Sequence, residues 1–353
     1  MTTPLGDMTL ALVMPAHNER AHIRGVIGSV PSWVDRIAVV DDGSTDGTAD
    51  VVAGLHDERV RLIRHERNRG VGAAMRTGYR AVLEEGWDLI GKIDADGQMC
   101  TRELTRLVRP LVLGVADYTK GNRFYFSKAA ASMPRQRGFG NTVLSFLTKA
   151  SSGYWHVYDP QCGFTVVSAT FLRLLDLDDL PDDYFFENAM LIKLNGLNAR
   201  VVDVPTTTRY GQEVSGVSIR RVAATFPPRL VLAGARRFWR KHLVTDFGAV
   251  GMLTLGGDAL SLFGVAFGSY HWWKSVTTGH AATTGTVMVA VLPLVVGFQM
   301  LVQAFSMSVL SSPGGKETAD YVRRLIREGE FEDAMEDGAR HSSGSGPPSE
   351  DVA

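Results

Sequence analysis

The sequence predicts an α/β domain on a mostly parallel sheet, followed by two membrane-spanning helices. Three observations carry that prediction. Short β-rich runs alternate with helix-sized amphipathic stretches through the first 205 residues. Carboxylate- and glycine-rich segments begin where those runs end, and two long apolar stretches follow Thr245. The 353 residues leave room for a catalytic core and an appendage.

The β-rich runs are Leu10–Met14, Arg36–Val40, Val60–Ile63, Leu89–Ile93 and Val201–Val204, with helical patterns at Glu19–Val30 and Gly70–Glu85 between the earlier ones. Strands spaced by helices indicate βαβ units and a sheet covered on both faces. Ligands of such sheets bind beyond the carboxyl ends of the strands. The sequence therefore divides into a catalytic domain at 1–216, a basic juxtamembrane stretch of amphipathic helices at 217–246, two transmembrane helices within 247–310, and a tail at 311–353.

Phe247–Tyr270 and Gly285–Leu310 are each long enough to cross a bilayer core of roughly 30 Å at about 1.5 Å per residue. Asp258 is the one charged residue in either stretch. Asp258 reads as either a functional intramembrane group or a helix-contact residue; Gly256 and Gly257 beside it favour helix packing, including packing between protomers of a homo-oligomer. The connection His271–Thr284 carries Trp272 and Trp273, residues suited to a membrane interface. Ahead of the first span, Arg220, Arg221, Arg229, Arg236, Arg237, Arg240 and Lys241 occur without an acidic residue, which places this flank on the cytoplasmic side. Two spans return Lys316, Arg323 and Arg324 to the same side. The expected location is the plasma membrane, multi-pass, with the catalytic domain in the cytoplasm. Pro227–Pro228 should break the basic stretch into two short helices lying on the headgroups, and the Ser/Gly/Pro-rich tail beyond about Glu336 should be disordered.

Composition narrows the function classes. With 37 Lys+Arg against 38 Asp+Glu there is no basic excess, so nucleic acid is not an expected partner. The two cysteines, Cys100 and Cys162, form neither a disulfide framework nor a metal-ligand spacing. No positive segment followed by an apolar core opens the chain, so the front of the protein should remain in the cytoplasm.

Three motifs carry chemistry. Met14-Pro15-Ala16-His17-Asn18-Glu19 ends the first strand in a turn that opens a helix, which alone is ordinary capping chemistry. Val39-Val40-Asp41-Asp42-Gly43-Ser44-Thr45-Asp46-Gly47-Thr48 closes the second strand on adjacent carboxylates, costly after a buried run unless they find partners. Such carboxylates can accept from the edge of a base or from ribose hydroxyls. Lys92-Ile93-Asp94-Ala95-Asp96-Gly97-Gln98 places Asp94, Asp96 and Gln98 two apart on an extended end, so that they project to one side. Three oxygen ligands of this kind suit a hard cation, Mg2+ or Mn2+, that would also hold diphosphate oxygens.

Residues 8 to 220, with these motifs in this order, resemble glycosyltransferase family 2 and its GT-A fold. The resemblance implies a nucleotide-sugar donor, with Pro15, Ala16, Glu19 and Asp42 on the nucleoside and Asp94, Asp96 and Gln98 on the metal and donor diphosphate; His17 would be a spectator. Tyr158-Asp159-Pro160-Gln161-Cys162-Gly163-Phe164, Phe185-Phe186-Glu187-Asn188 and Tyr210-Gly211-Gln212-Glu213-Val214-Ser215 look like segments of the polyprenyl-phosphate glycosyltransferases, including dolichyl-phosphate mannose synthase-like enzymes. The fusion to two C-terminal spans is similar to the membrane-anchored members. Many relatives carry an acidic residue and then a lysine where this chain has Gln212 and Val214.

The expected reaction moves a hexose from a UDP- or GDP-sugar to a polyprenyl phosphate with inversion, at the cytoplasmic face. A lipid phosphate is already ionised, so the enzyme must align it and stabilise the leaving diphosphate, which sets Asp96 in the catalytic group. Asp159 and Glu187 would shape the acceptor and sugar side, with either acting as base toward a hydroxyl acceptor. Arg123 is the leading candidate for a phosphate contact, with Arg135, Arg137 and Arg209 secondary. Two other readings compete. A processive polysaccharide synthase would need more spans and a Gln-x-x-Arg-Trp signature, which Arg236-Arg237-Phe238-Trp239-Arg240 does not supply. A silent membrane scaffold would have no use for Asp94, Asp96 and Gln98.

Overall fold

The computed structural model describes residues 4–125, 135–207, 219–245 and 247–328, without the side chains of 135–143 and 219–223. Among these residues the chain forms two units, Met1–Ala233 with Pro313–Ala353, and Gly234–Ser312.

The first unit is built on a seven-stranded sheet of order β3-β2-β1-β4-β6-β5-β7. Its strands are β1 (Leu10–Ala16), β2 (Arg36–Asp41), β3 (Val60–Arg64), β4 (Leu89–Lys92), β5 (Tyr118–Asn122), β6 (Thr165–Ser168) and β7 (Val201–Pro205). β1 pairs in parallel with β2 and β4, β2 with β3, and β5 with β7. β6 alone is antiparallel, to both β4 and β5. This is a mostly parallel α/β architecture, as the sequence leads one to expect.

Every residue of β1 is buried because both faces of the sheet are covered. Alternation sends Ala11 and Val13 to one face, against Ala74, Met75, Tyr79 and Val82 of α3 (Val71–Glu85). Leu10, Leu12 and Met14 go to the other face. There they meet Ile23, Val26 and Ile27 of α1 (Ile23–Ser29), and the cluster continues through Leu104, Leu107, Val108 and Leu111 of α4 (Leu104–Val112). Each such aliphatic side chain contributes about 1.5–3 kcal/mol by leaving water. The remaining helices of this unit are α2 (Thr48–Ala53), α5 (Arg135–Ser152), α6 (Ala169–Leu174), α7 (Phe186–Gly196) and the start of α8 (Ile219–Phe238).

Several expectations need correction. The first helical pattern spans less than Glu19–Val30: Asn18 takes φ 60° and the helix begins at Ile23. β5 and β6 were absent from the list of β-rich runs. Tyr-Thr-Lys-Gly-Asn is poor in β-branched residues, and Thr-Val-Val-Ser is only four residues long. The Pro227–Pro228 pair does not break the basic stretch, since one helix, α8, contains both. Tertiary packing outweighs the two lost amide donors there: Phe226 and Leu230 are buried in the sheet's core, Phe226 edge-on to Phe185 at 5.3 Å, and Arg229 forks Asp183.

The segment after the second apolar stretch adds an element that the sequence expectations do not name. Residues after the second apolar stretch do not form a plain tail, because α11 (Gly315–Arg327) packs along β7. Tyr321 and Leu325 are buried in the same cluster as the β1 face, and Arg109 forks Glu328 at 2.8 and 3.0 Å. The part of the tail beyond Glu336 lies outside the described residues.

The second unit contains a π-helical turn (Trp239–Thr245), α9 (Ala249–Thr278) and α10 (Thr284–Leu310). Both long helices are apolar enough to cross a membrane. α9 continues through Trp272 and Trp273 to Thr278, so the connection is shorter than His271–Thr284. Gly257 and Gly264 of α9 and Gly297 of α10 are buried where the two helices meet, and a side chain at Gly257 would strike the Gly297 carbonyl and Leu301. Small residues thus set the helix approach inside the hairpin, while Asp258 is exposed on the unit's surface.

Candidate active site

The topology gathers the motifs at one sheet edge. β1, β2 and β4 run in parallel and end at Ala16, Asp41 and Lys92. Two antiparallel pairings through β6 leave β5 and β7 running the same way, so Arg123 and Thr206 follow strands that finish at that edge. Because β6 is reversed, its starting end lies there too, bringing the preceding segment 159–164 to the site.

The first two motifs are stitched together. Asn18 Oδ1 accepts from the Thr45 amide at 2.9 Å, Thr48 Oγ1 from the Glu19 amide at 2.8 Å, and the Asp42 carbonyl from His17 Nδ1 at 2.9 Å. Pro15 and Ala16 form the end of β1, and the Glu19 carboxylate lies 3.2 Å from His22 Nδ1. Asp42 is buried, accepting from His65 Nδ1 at 2.7 Å, the Arg69 amide at 3.0 Å and the Gly70 amide at 2.7 Å. A carboxylate has about four lone-pair sites, so Asp42 holds the loop before α3 and retains room for about one further donor.

The third motif joins a buried charge network. Lys92 Nζ lies 2.9 Å from Asp94 Oδ1 and 2.7 Å from Glu187 Oε1, and Lys120 Nζ lies 3.2 Å from Glu187 Oε2. Lys120 also donates to the Cys162 carbonyl. Burial alone would raise the Glu187 carboxyl, but the two ammoniums outweigh it and hold the group below its usual range. Burial likewise opposes charge on Lys92, while Asp94 and Glu187 push its pKa well up. Two cations and two anions therefore neutralise one another under the sheet edge, with both Glu187 oxygens engaged. Asp96 Oδ1 accepts from the Gln98 amide at 3.0 Å, across the turn made by Gly97.

Arg123 and Asp159, separate candidates in the sequence, form one fork. Arg123 Nε donates to Asp159 Oδ2 at 2.6 Å and Nη2 to Oδ1 at 3.0 Å. Asp159 is buried and Arg123 partly exposed. A cavity of about 70 Å³ is lined by Asp94, Gln98, Arg123, Gly163, Thr206 and Thr207 among others. The Thr206 hydroxyl is buried and has no partner among the described residues. Asp94, Gln98 and Arg123 are thus brought to one space; Asp159 and Glu187 stand behind it.

Comparison with known proteins gives this edge a context. The family model described as "Glycosyl transferase family 2" matches residues 11–176. A UDP-N-acetylglucosamine–dolichyl-phosphate N-acetylglucosaminyltransferase of Methanococcus voltae is 31% identical over 223 residues, covering 58% of this chain and 88% of that protein. The chain belongs to glycosyltransferase family 2. Other family 2 relatives are an undecaprenyl-phosphate mannosyltransferase of Micrococcus luteus (28% identity, 57% of this chain, 83% of the relative) and a polyprenol monophosphomannose synthase of Mycolicibacterium smegmatis (29%, 59% and 79%).

The donor set of this glycosyltransferase fits a hard divalent cation: Asp94, Asp96 and Gln98 offer oxygen, with no thiol or imidazole. Among the described residues no three His, Cys, Asp or Glu side chains form a metal group by themselves. The fit therefore rests on two carboxylates and an amide, beside a buried threonine hydroxyl that lacks a partner among the described residues. Gly163 keeps this corner open, since a Cβ there would lie 2.5 Å from both Asp94 Oδ2 and Lys92 Nζ.

Lys92, Lys120, Thr206 and Thr207 were not among the sequence candidates. A lysine inside a buried strand run was the available signal, because such a charge requires a buried counter-ion. The side chains of Arg135 and Arg137, and all of Arg209 and Tyr210–Ser215, lie outside the described residues. Cys162 is buried, and burial pushes its thiol up to about 11.

Proposed function

We propose that this chain transfers a hexose from a UDP- or GDP-sugar to a polyprenyl phosphate at the cytoplasmic membrane face, with inversion at the anomeric carbon. The observation that carries the reading is the cavity in which Asp94 and Gln98 share walls with Arg123. One space would then hold oxygen ligands for a divalent cation bound to the donor diphosphate and a guanidinium for the acceptor phosphate. Pro15, Ala16, Glu19 and Asp42 would line the nucleoside side. Mg2+ or Mn2+ held by Asp94, Asp96 and Gln98 would offset the charge that develops on the leaving diphosphate.

The protein's own residues supply alignment. The lipid phosphate is already an anion and needs no proton removed, so Asp159 serves by holding the Arg123 fork toward the acceptor. Glu187, locked between two lysines, fixes Lys92 and through it the rotamer of Asp94. The two apolar helices would keep the enzyme where the polyprenyl tail lies. α11 belongs to the same unit as the sheet, which supports two crossings with both ends on one side. The basic residues Arg236, Arg237, Arg240 and Lys241 favour the cytoplasm for that side.

Asp96→Ala should lower sugar transfer by about 100-fold or more with Mg2+ present, and chelation should do the same to the wild type. Near wild-type transfer by Asp96→Ala would overturn the metal assignment.

A further inference from the structure

β7 is the last strand of the sheet, and its outer edge is where α11 docks. The fit is close at the start of the helix. Gly314 has φ 89°, and a Cβ there would lie 2.1 Å from the Val201 carbonyl oxygen. Only glycine accommodates both that conformation and that approach. One helical turn on, Thr318 Oγ1 accepts from the Asp203 amide at 3.2 Å. Tyr321 donates to the Arg106 carbonyl at 2.9 Å, and Arg109 closes the far end on Glu328. The segment that follows the second apolar helix is thus tied to the strand that carries Asp203.

Asp203 is fully buried, yet the expected chemistry gives it no role. Its Oδ2 accepts from Asn122 Nδ2 at 2.6 Å and from the Tyr158 amide at 3.2 Å, and its Oδ1 has no partner. Asn122 in turn accepts from the Phe124 amide at 2.9 Å. Asn122 immediately precedes Arg123, and Tyr158 immediately precedes Asp159. One carboxylate oxygen therefore fastens the residues before both members of the fork. A buried carboxylate with an orphaned oxygen is expensive.

We infer that Asp203 is a positioning residue for the Arg123–Asp159 pair, held in turn by α11, so that the exit of the second apolar helix is coupled to the acceptor side of the site. The acceptor part of this inference rests on the proposed transfer to a lipid phosphate. The positioning part rests on the hydrogen bonds alone.

The test uses the full chain in detergent or proteoliposomes with a labelled nucleotide-sugar and polyprenyl phosphate. Asp203→Ala should raise the KM for polyprenyl phosphate or lower kcat by about tenfold, with the donor KM changed by no more than about twofold. Asp203→Asn, whose amide oxygen can accept from both Asn122 and the Tyr158 amide as Oδ2 does, should keep most of the activity that Asp203→Ala loses. Thr318→Val should show a smaller effect of the same kind. Hydrogen exchange provides a readout that a general loss of stability would not mimic: the Phe124 and Tyr158 amides should lose protection in Asp203→Ala while β1 and β2 keep theirs. Protection unchanged at those amides, or lost evenly across the sheet, would overturn the positioning role, as would an Asp203→Asn variant no better than Asp203→Ala. A wild-type chain that moves no sugar to polyprenyl phosphate would sink the proposed function instead, and the exchange pattern would still decide the positioning.

Discussion

Glu187 shows how a residue's neighbours decide its chemistry. A glutamate near a sugar site suggests a base, but this one has an ammonium on each oxygen. Glu187→Gln would leave Lys92 with Asp94 as its carboxylate and Lys120 with only the Cys162 carbonyl among the contacts described. Breaking a buried pair in this way costs about 3–5 kcal/mol, so the unfolding midpoint should drop sharply in denaturant titrations of the solubilised protein. Replacing Glu187 without loss of stability would contradict the network. Asp203 makes the opposite prediction with pH. Burial, reinforced by Asp159, raises its carboxyl from 3.8 to about 7, against the pull of the Tyr158 amide, Asn122 and Lys120. The folded chain therefore binds this proton more tightly than the unfolded chain, and stability from this group is lost as pH rises from about 4 to about 7. Asp203→Asn should flatten that part of the curve, measured as thermal midpoints between about pH 5 and pH 7.5.

At the scale of elements, what could be read in the sequence depended on how local the signal was. β1 to β4 and β7 declare themselves as runs of Val, Ile and Leu, and the motifs at their ends follow from sheet topology. β6 is four residues long and reversed, so the delivery of Gly163 to the Asp94 corner depends on pairing across the sheet and leaves no periodic trace. The same holds for the site. Asp94, Asp96 and Gln98 were legible as a motif, but the Arg123–Asp159 fork joins residues 36 apart in sequence, and Asp203 reaches Asn122 over 81. α11 has an amphipathic pattern, but nothing local says that its apolar side meets β7. The hairpin offers a direct check. Gly257→Leu would push a side chain into the Gly297 carbonyl and Leu301, and should lower the thermal midpoint of the solubilised hairpin while leaving the sheet's hydrogen-exchange protection in place. A midpoint equal to wild type would contradict the close packing of α9 on α10.

For the whole molecule, the docked α11 changes what a truncation means. Cutting the chain at residue 246 removes the hairpin but also strips α11 from β7, exposing the site that Tyr321 and Leu325 fill. Joining Thr245 to Pro313 by a flexible linker separates the two effects. That protein should keep donor hydrolysis and lose transfer to long polyprenyl phosphates. Under the proposed function both units would serve one reaction, the sheet edge holding the donor and the hairpin keeping the enzyme with its acceptor. The most direct test of this account incubates membranes containing the full chain with a panel of labelled UDP- and GDP-sugars and polyprenyl phosphate, followed by lipid extraction. The account predicts label from one donor in the organic phase, joined to the lipid through a single phosphate and inverted at the anomeric carbon. Label recovered only as free sugar, polymer or modified protein would contradict it.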